Sequence, residues 1–132
     1  MRHLPTATPT SPDHTYVPGL HVIADLVGCA AHAIMTDAEK LEQICLTYIR
    51  DAGLFDMGSQ FFAFPGAGGV TGMVILAESH LSIHTWPEHN YVCLDIFVCN
   101  YSKDSSPKAR QVAERLIALF NPSETRMHEV TR

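Results

Sequence analysis

The residues best suited to chemistry lie between positions 78 and 99, in the run ESHLSIHTWPEHNYVCLDIFVC. Read with the two-residue period of a strand, His80, Ser82 and His84 share one face, and Leu81 and Ile83 share the other. Two imidazoles beside hydroxyls, with the Cys99 thiol close by in sequence, suit proton transfer, because histidine titrates near neutral pH. The same alternation equally describes a hydrogen-bonded polar strand face with no catalytic duty. A zinc site is a further reading, with His80, His84 and His89 joined by Cys93 or Cys99. Against it, His89 falls in a turn beyond Pro87, and the spacing matches no compact zinc pattern. Ser79 and Ser82 lie near histidines, as a hydrolytic nucleophile would, but no G-x-S-x-G elbow surrounds either. The glycine-rich piece 66–69 is followed by no Lys-Ser/Thr pair and opens no helix, so it reads as a strand-to-strand turn and not a phosphate loop.

The elements that must position these groups follow from periodicity. Gly19 to Val27 mixes β-branched and apolar residues and predicts a first strand. Thr36 and Glu39 have capping-box spacing, and Leu41, Ile44, Cys45, Tyr48 and Ala52 recur at helical steps until Gly53 stops the run. Strands are predicted over 59–64, 70–77, 80–86 and 91–99. A last helix is predicted from Ser106 as N-cap and Pro107 at the first helical position, with Ala109, Val112, Ala113, Leu116 and Phe120 as its apolar stripe and Asn121-Pro122 as its end. Residues 126–130 fit a closing strand. The links at 78–79 and 87–90 are too short for parallel crossovers, so the strands pair as antiparallel hairpins. The expected fold is α+β, a two-layer sandwich of an antiparallel sheet with two helices on one face. Runs such as VTGMVILA and CLDIFVC read as apolar on both sides, which predicts a homo-oligomer covering the free face.

Composition narrows the partners. The 132 residues suit a single domain, here 18–132, behind a Pro/Thr/Ser-rich tail over 1–17 that reads as disordered. Nine Lys+Arg against fourteen Asp+Glu give a net charge of −5 with no basic stripe, which argues against nucleic-acid binding. No run approaches the roughly 18 apolar residues of a membrane span. The tail lacks the apolar segment of a secretory signal, and the four cysteines (Cys29, Cys45, Cys93, Cys99) form no CxxC pair. Reduced thiols in a cytoplasmic protein are therefore expected.

The string from Glu78 to Glu88, ESHLSIHTWPE, resembles the hallmark of the prokaryotic S-adenosylmethionine decarboxylase proenzymes, which are pyruvoyl-dependent enzymes of spermidine synthesis. The likeness continues through Gly69-Val70-Thr71-Gly72 upstream and Asp95-Ile96-Phe97-Val98-Cys99 downstream. Fainter echoes are Gly19-x-His21 with Asp25 and Cys29, and Phe61-x-x-Phe64. The resemblance implies that the Glu78–Ser79 peptide bond breaks by itself, leaving a β chain 1–78 and an α chain 79–132 whose Ser79 has become the pyruvoyl cofactor. It implies that His84 is the proton acceptor of that processing, and that Thr71 stands where the family usually has an assisting serine. It also implies that the pyruvoyl group forms a Schiff base with the substrate amine and that Cys99 is the proton donor after carbon dioxide leaves. Phe64 matches an adenine-stacking position, and Glu88 matches a carboxylate that accepts from both ribose hydroxyls. No metal is implied.

The chain departs from the family pattern at Leu20, where arginine is common, and at Phe62, where histidine often stands. The glycine-rich loop before Val70 is also one residue longer. None of these touches Ser79, His84 or Cys99, but all fall where a substrate pocket is shaped. S-adenosylmethionine is the favoured substrate. The alternatives are the same chemistry on ornithine or arginine, or an unprocessed homologue that only binds a ligand or partner. The family also implies a homodimer of αβ protomers whose active sites draw on the neighbouring subunit.

Overall fold

The computed structural model describes residues 17–100 and 103–132; the expected tail over 1–17 therefore lies, but for its last residue, outside the described residues. In chain order the elements are β1 (Leu20–Val27), α1 (His32–Met35), α2 (Ala38–Asp51), β2 (Asp56–Ala63), β3 (Val70–Leu76), β4 (Ser79–Trp86), a 3-10 turn at Pro87–His89, β5 (Tyr91–Val98), α3 (Ser106–Phe120) and β6 (Glu124–Thr131). The six strands form one sheet in the order β2-β3-β4-β5-β1-β6, and every neighbouring pair is antiparallel. The two long helices pack on one face, α2 against β2 and β3 and α3 against β1 and β5. The expected two-layer α+β sandwich is thus the fold observed.

Strand alternation builds the core. Val22, Ala24 and Leu26 of β1, Val74 of β3, Leu81 and Ile83 of β4, and Leu94 and Ile96 of β5 point toward the helices and are buried. They meet Leu41, Cys45 and Ile49 from α2 and Val112, Leu116 and Phe120 from α3. Each helix supplies these at four-residue steps; the α3 stripe is the expected one, whereas on α2 the buried place falls to Ile49 and leaves Ile44 and Tyr48 half-buried.

Several boundaries differ from expectation. The capping box from Thr36 does not form. Asp37 is the N-cap of α2 and accepts from the Lys40 backbone N–H at 3.0 Å, while Thr36 closes the short α1. Both residues are good cap formers, and the additional single turn of α1 shifts the start by one residue. The last helix is preceded by Ser105, not Ser106, as its capping residue, with no side-chain cap bond. Strand β2 begins three residues earlier than predicted, at Asp56, through an irregularity between Asp56 and Gly58. The acidic start hid this strand. Asp56 is buried because Arg50 grips both its oxygens at 3.0 Å.

The open face also corrects an expectation. It is not apolar throughout. His21, Asp25, His80, Ser82, His84, Cys93 and Asp95 give it a polar centre, and its exposed apolar rim comprises Phe62, Met73 and Ile75, at 58%, 43% and 53% exposure.

Candidate active site

The predicted cleavage point lies on the tightest link in the sheet. Leu76 pairs with Ser79, so Ala77 and Glu78 alone connect β3 to β4. Glu78 has φ of 65°, a left-handed conformation that costs a residue with a Cβ about 1 kcal/mol or more. Ser79 Oγ donates to the Ala77 carbonyl at 3.3 Å, which holds the hydroxyl at the turn. Cys99 follows the last residue of β5. His80 pairs with Phe97, so Cys99 falls at the strand end where β4 begins.

The other chemical groups gather at the far end of β4. His84 pairs with Thr71 on β3 and with Cys93 on β5. Thr71 Oγ1 and His84 Nδ1 are 3.3 Å apart. In the tautomer that donates Nδ1–H to Thr71, the Nε2 lone pair is free to take a proton. The His84 ring lies 6.0 Å from Trp86, which lies 5.3 Å from Tyr91. The Tyr91 hydroxyl donates to Asp25 Oδ1 at 2.7 Å.

Around this end opens a cavity of about 320 Å³ lined by Phe64, Gly68, Gly69, Thr71, His84, Thr85, Trp86 and Glu88. Four of the predicted site residues (Phe64, Thr71, His84 and Glu88) therefore share one pocket. Its floor is set by Thr85, whose Oγ1 accepts from the Val70 N–H at 2.7 Å and donates to the Met35 carbonyl at 2.6 Å. Gly69 passes so close that a Cβ there would sit 1.8 Å from the Thr85 carbonyl oxygen, so only glycine fits. The Phe64 N–H donates to the Gly69 carbonyl at 2.9 Å and closes the loop that presents the phenyl ring.

The structure thus divides the predicted residues into two half-sites. Glu78, Ser79 and Cys99 occupy one end of β4, and Phe64, Thr71, His84 and Glu88 the other. Five residue steps of extended strand separate Ser79 from His84, a span of about 16 Å. Within one protomer, His84 does not reach Ser79.

A second polar group was missed. Asp95 Oδ1 accepts from His80 Nε2 at 3.0 Å, and Oδ2 accepts from Ser82 Oγ at 2.8 Å. His21 Nε2 lies 3.2 Å from the same Oδ1, off the line of a hydrogen bond. His21, His80 and Asp95 form a compact set of potential metal donors among the described residues. Arg132 Nη1 stands 3.2 Å from His21 Nδ1. An arginine donor there leaves the imidazole proton on Nε2, so His21 faces Asp95 as a proton-bearing partner and not as a ligand. The zinc set considered from spacing does not assemble, since His89 lies in the 3-10 turn and joins no such group among the described residues.

The thiols differ in setting. All four cysteines are free, and burial pushes Cys45 up to about 12. Cys93 is raised as well, by burial first and then by the Asp25 and Asp95 charges. No helix among the described residues is long and apolar enough to cross a membrane.

Comparison with known proteins places the chain and its fold. The family described as S-adenosylmethionine decarboxylase matches residues 20–132. The S-adenosylmethionine decarboxylase proenzyme of Aquifex aeolicus is 37% identical over 113 residues, covering 84% of this chain and 79% of that protein. The proenzyme of the same name from Syntrophomonas wolfei is 35% identical over 114 residues, 86% of each chain. The crystal structure of the adenosylmethionine decarboxylase from Aquifex aeolicus superposes with a TM-score of 0.77 at 30% identity, covering 89% of this chain and 92% of that one. With sequence and fold in agreement, the chain belongs to the S-adenosylmethionine decarboxylase family.

Proposed function

We propose that this chain is a self-processing S-adenosylmethionine decarboxylase, cut between Glu78 and Ser79, that releases carbon dioxide from S-adenosylmethionine to supply polyamine synthesis. The observation that carries the reading is the Glu78–Ser79 bond on a two-residue turn with Glu78 left-handed. That turn fits a serine destined to become a pyruvoyl group. Ser79 Oγ attacks the Glu78 carbonyl carbon, an ester forms and the peptide C–N bond breaks. A base removes the Ser79 α-proton, and elimination expels the Glu78 carboxylate. The resulting dehydroalanine takes up water and loses ammonia, leaving the pyruvoyl group on the His80 nitrogen. The pyruvoyl group then supplies the electron sink for decarboxylation.

His84 is the base of the elimination, with Thr71 orienting its ring. The 16 Å gap along β4 is bridged by a second copy. When two open faces meet about a two-fold axis with their β4 strands antiparallel, the Ser79 end of each meets the His84 end of the other. The same operation makes both sites at once. The exposed Phe62, Met73 and Ile75 rim supports burial of this face in a dimer. In each site Cys99 holds the proton destined for the substrate α-carbon.

The substrate reading rests on the pocket. Phe64 offers a flat apolar face for adenine, and the Glu88 carboxylate can accept from both ribose hydroxyls. Ornithine or arginine would use neither, and a binding homologue would need no Ser79, His84 and Cys99. Purified protein should run as two fragments of roughly 8.5 and 6 kDa by residue-count scaling, and Ser79→Ala as one uncut chain. An uncut wild type, or an Ser79→Ala chain split at the same bond, overturns self-processing. Carbon dioxide release from S-adenosylmethionine, ornithine and arginine, measured side by side, decides the substrate.

A further inference from the structure

Cutting a hairpin turn creates a new chain end, and chain ends fray unless they are held. If residue 79 carries the reacting carbon, as in the function proposed above, its position depends on residue 80, the next residue of the new chain. His80 is backbone-paired to Ile75 on one side and Phe97 on the other. Its ring is also fastened across the sheet. Nε2 donates to Asp95 Oδ1 at 3.0 Å, while Ser82 Oγ donates to Oδ2 at 2.8 Å and His21 Nε2 stands 3.2 Å from Oδ1. The Phe97 ring packs against both imidazoles, with centroids 5.8 Å from His21 and 6.1 Å from His80. Three strands therefore converge on one carboxylate beside the cleavage point.

We infer that Asp95 is a positioning residue for the processed N terminus: by anchoring the His80 side chain of β4 to β5, it keeps the pyruvoyl-bearing end in strand register after the turn has been cut. Before cleavage the covalent turn does this job, and the anchor is redundant. After cleavage the anchor is the side-chain restraint nearest the reacting carbon. A displacement of about 1 Å at such a centre is enough to slow chemistry roughly a hundredfold. This inference rests on the self-processing reading and adds to it a residue outside the chemical steps.

The test uses Asp95→Asn, which keeps the shape but removes the anion. The variant should still split into two fragments. Its kcat should fall roughly ten- to hundredfold, with KM for S-adenosylmethionine within about twofold of wild type. Amide exchange over residues 80–83 should quicken about tenfold in cut Asp95→Asn, yet stay unchanged when the same substitution is placed in the uncut Ser79→Ala chain. Asp95→Glu should recover part of kcat. Should Asp95→Asn fail to fold, the pair His80→Gln and His80→Ala replaces it, with the amide donor of glutamine expected to retain more kcat than alanine. Wild-type kcat and exchange in cut Asp95→Asn, equal quickening in the uncut background, or equal kcat in the two His80 variants overturns the inference. An uncut wild type sinks the self-processing reading and this inference together, whereas a cut wild type indifferent to Asp95 sinks only this one.

Discussion

Tyr91 shows how one contact on the open sheet face becomes measurable. Its hydrogen bond to Asp25, then burial, then the neighbouring charges of Asp25 and Cys93 push the phenol from 10.0 up to about 12. The fold thus favours the neutral phenol. The stabilisation is complete below pH 10.0 and is lost as pH rises through about 12. Ultraviolet titration of the folded protein should show one late phenolate, absent in Tyr91→Phe and returned toward the ordinary range in Asp25→Asn. In the pocket itself, Glu88→Gln should raise KM for S-adenosylmethionine about tenfold with kcat little changed, if both ribose hydroxyls bind there. Ser79, His84, Cys99 and Glu88 were legible because they sit in one short string. Asp95 was read only as part of that string's downstream extension, and His21 only as a faint echo. Their meeting with His80 depends on lateral register between three strands, which no linear spacing encodes.

At the scale of elements, the pocket depends on a close approach of two backbones. Gly69→Ala would place a methyl 1.8 Å from the Thr85 carbonyl, so the loop must move away from β4. A loss of about 3 kcal/mol in urea denaturation is expected, with S-adenosylmethionine binding weakened through the displaced Phe64. Asp37→Ala should cost about 1 kcal/mol, since it removes the cap of α2; Thr36→Ala should cost less. The helices were legible because three- and four-residue periodicity survives without knowledge of partners. Their first residues were not, because Thr36, Asp37, Ser105 and Ser106 are all competent caps, and tertiary packing selects among them. The start of β2 was hidden for a related reason. Asp56 reads as a loop residue until Arg50, six positions earlier on α2, neutralises it.

For the whole molecule, the split of the site along β4 makes a prediction that a single chain cannot satisfy. Co-expressed Ser79→Ala and His84→Ala chains should yield mixed dimers in which the His84→Ala chain is cut, using the histidine of its neighbour. Either variant alone should stay whole or stall as an ester that hydroxylamine cleaves. No cutting in the mixture overturns the shared site. The layer architecture was legible from short strand links, but the character of the free face was not, because polar residues contributed by β1, β4 and β5 meet only once the sheet is assembled. The strand order carries one more consequence. A cut at 78 leaves β1, β2 and β3 in one piece and β4, β5 and β6 in the other, yet β1 lies between β5 and β6. The two pieces are therefore dovetailed, each gripping a strand of the other. They cannot part without tearing hydrogen-bonded ladders on both sides of β1. Once parted, they can reunite only by a bimolecular encounter, so formation of the sheet within a protomer should slow with dilution in the mature protein, whereas in the uncut precursor only the later pairing of two protomers should do so.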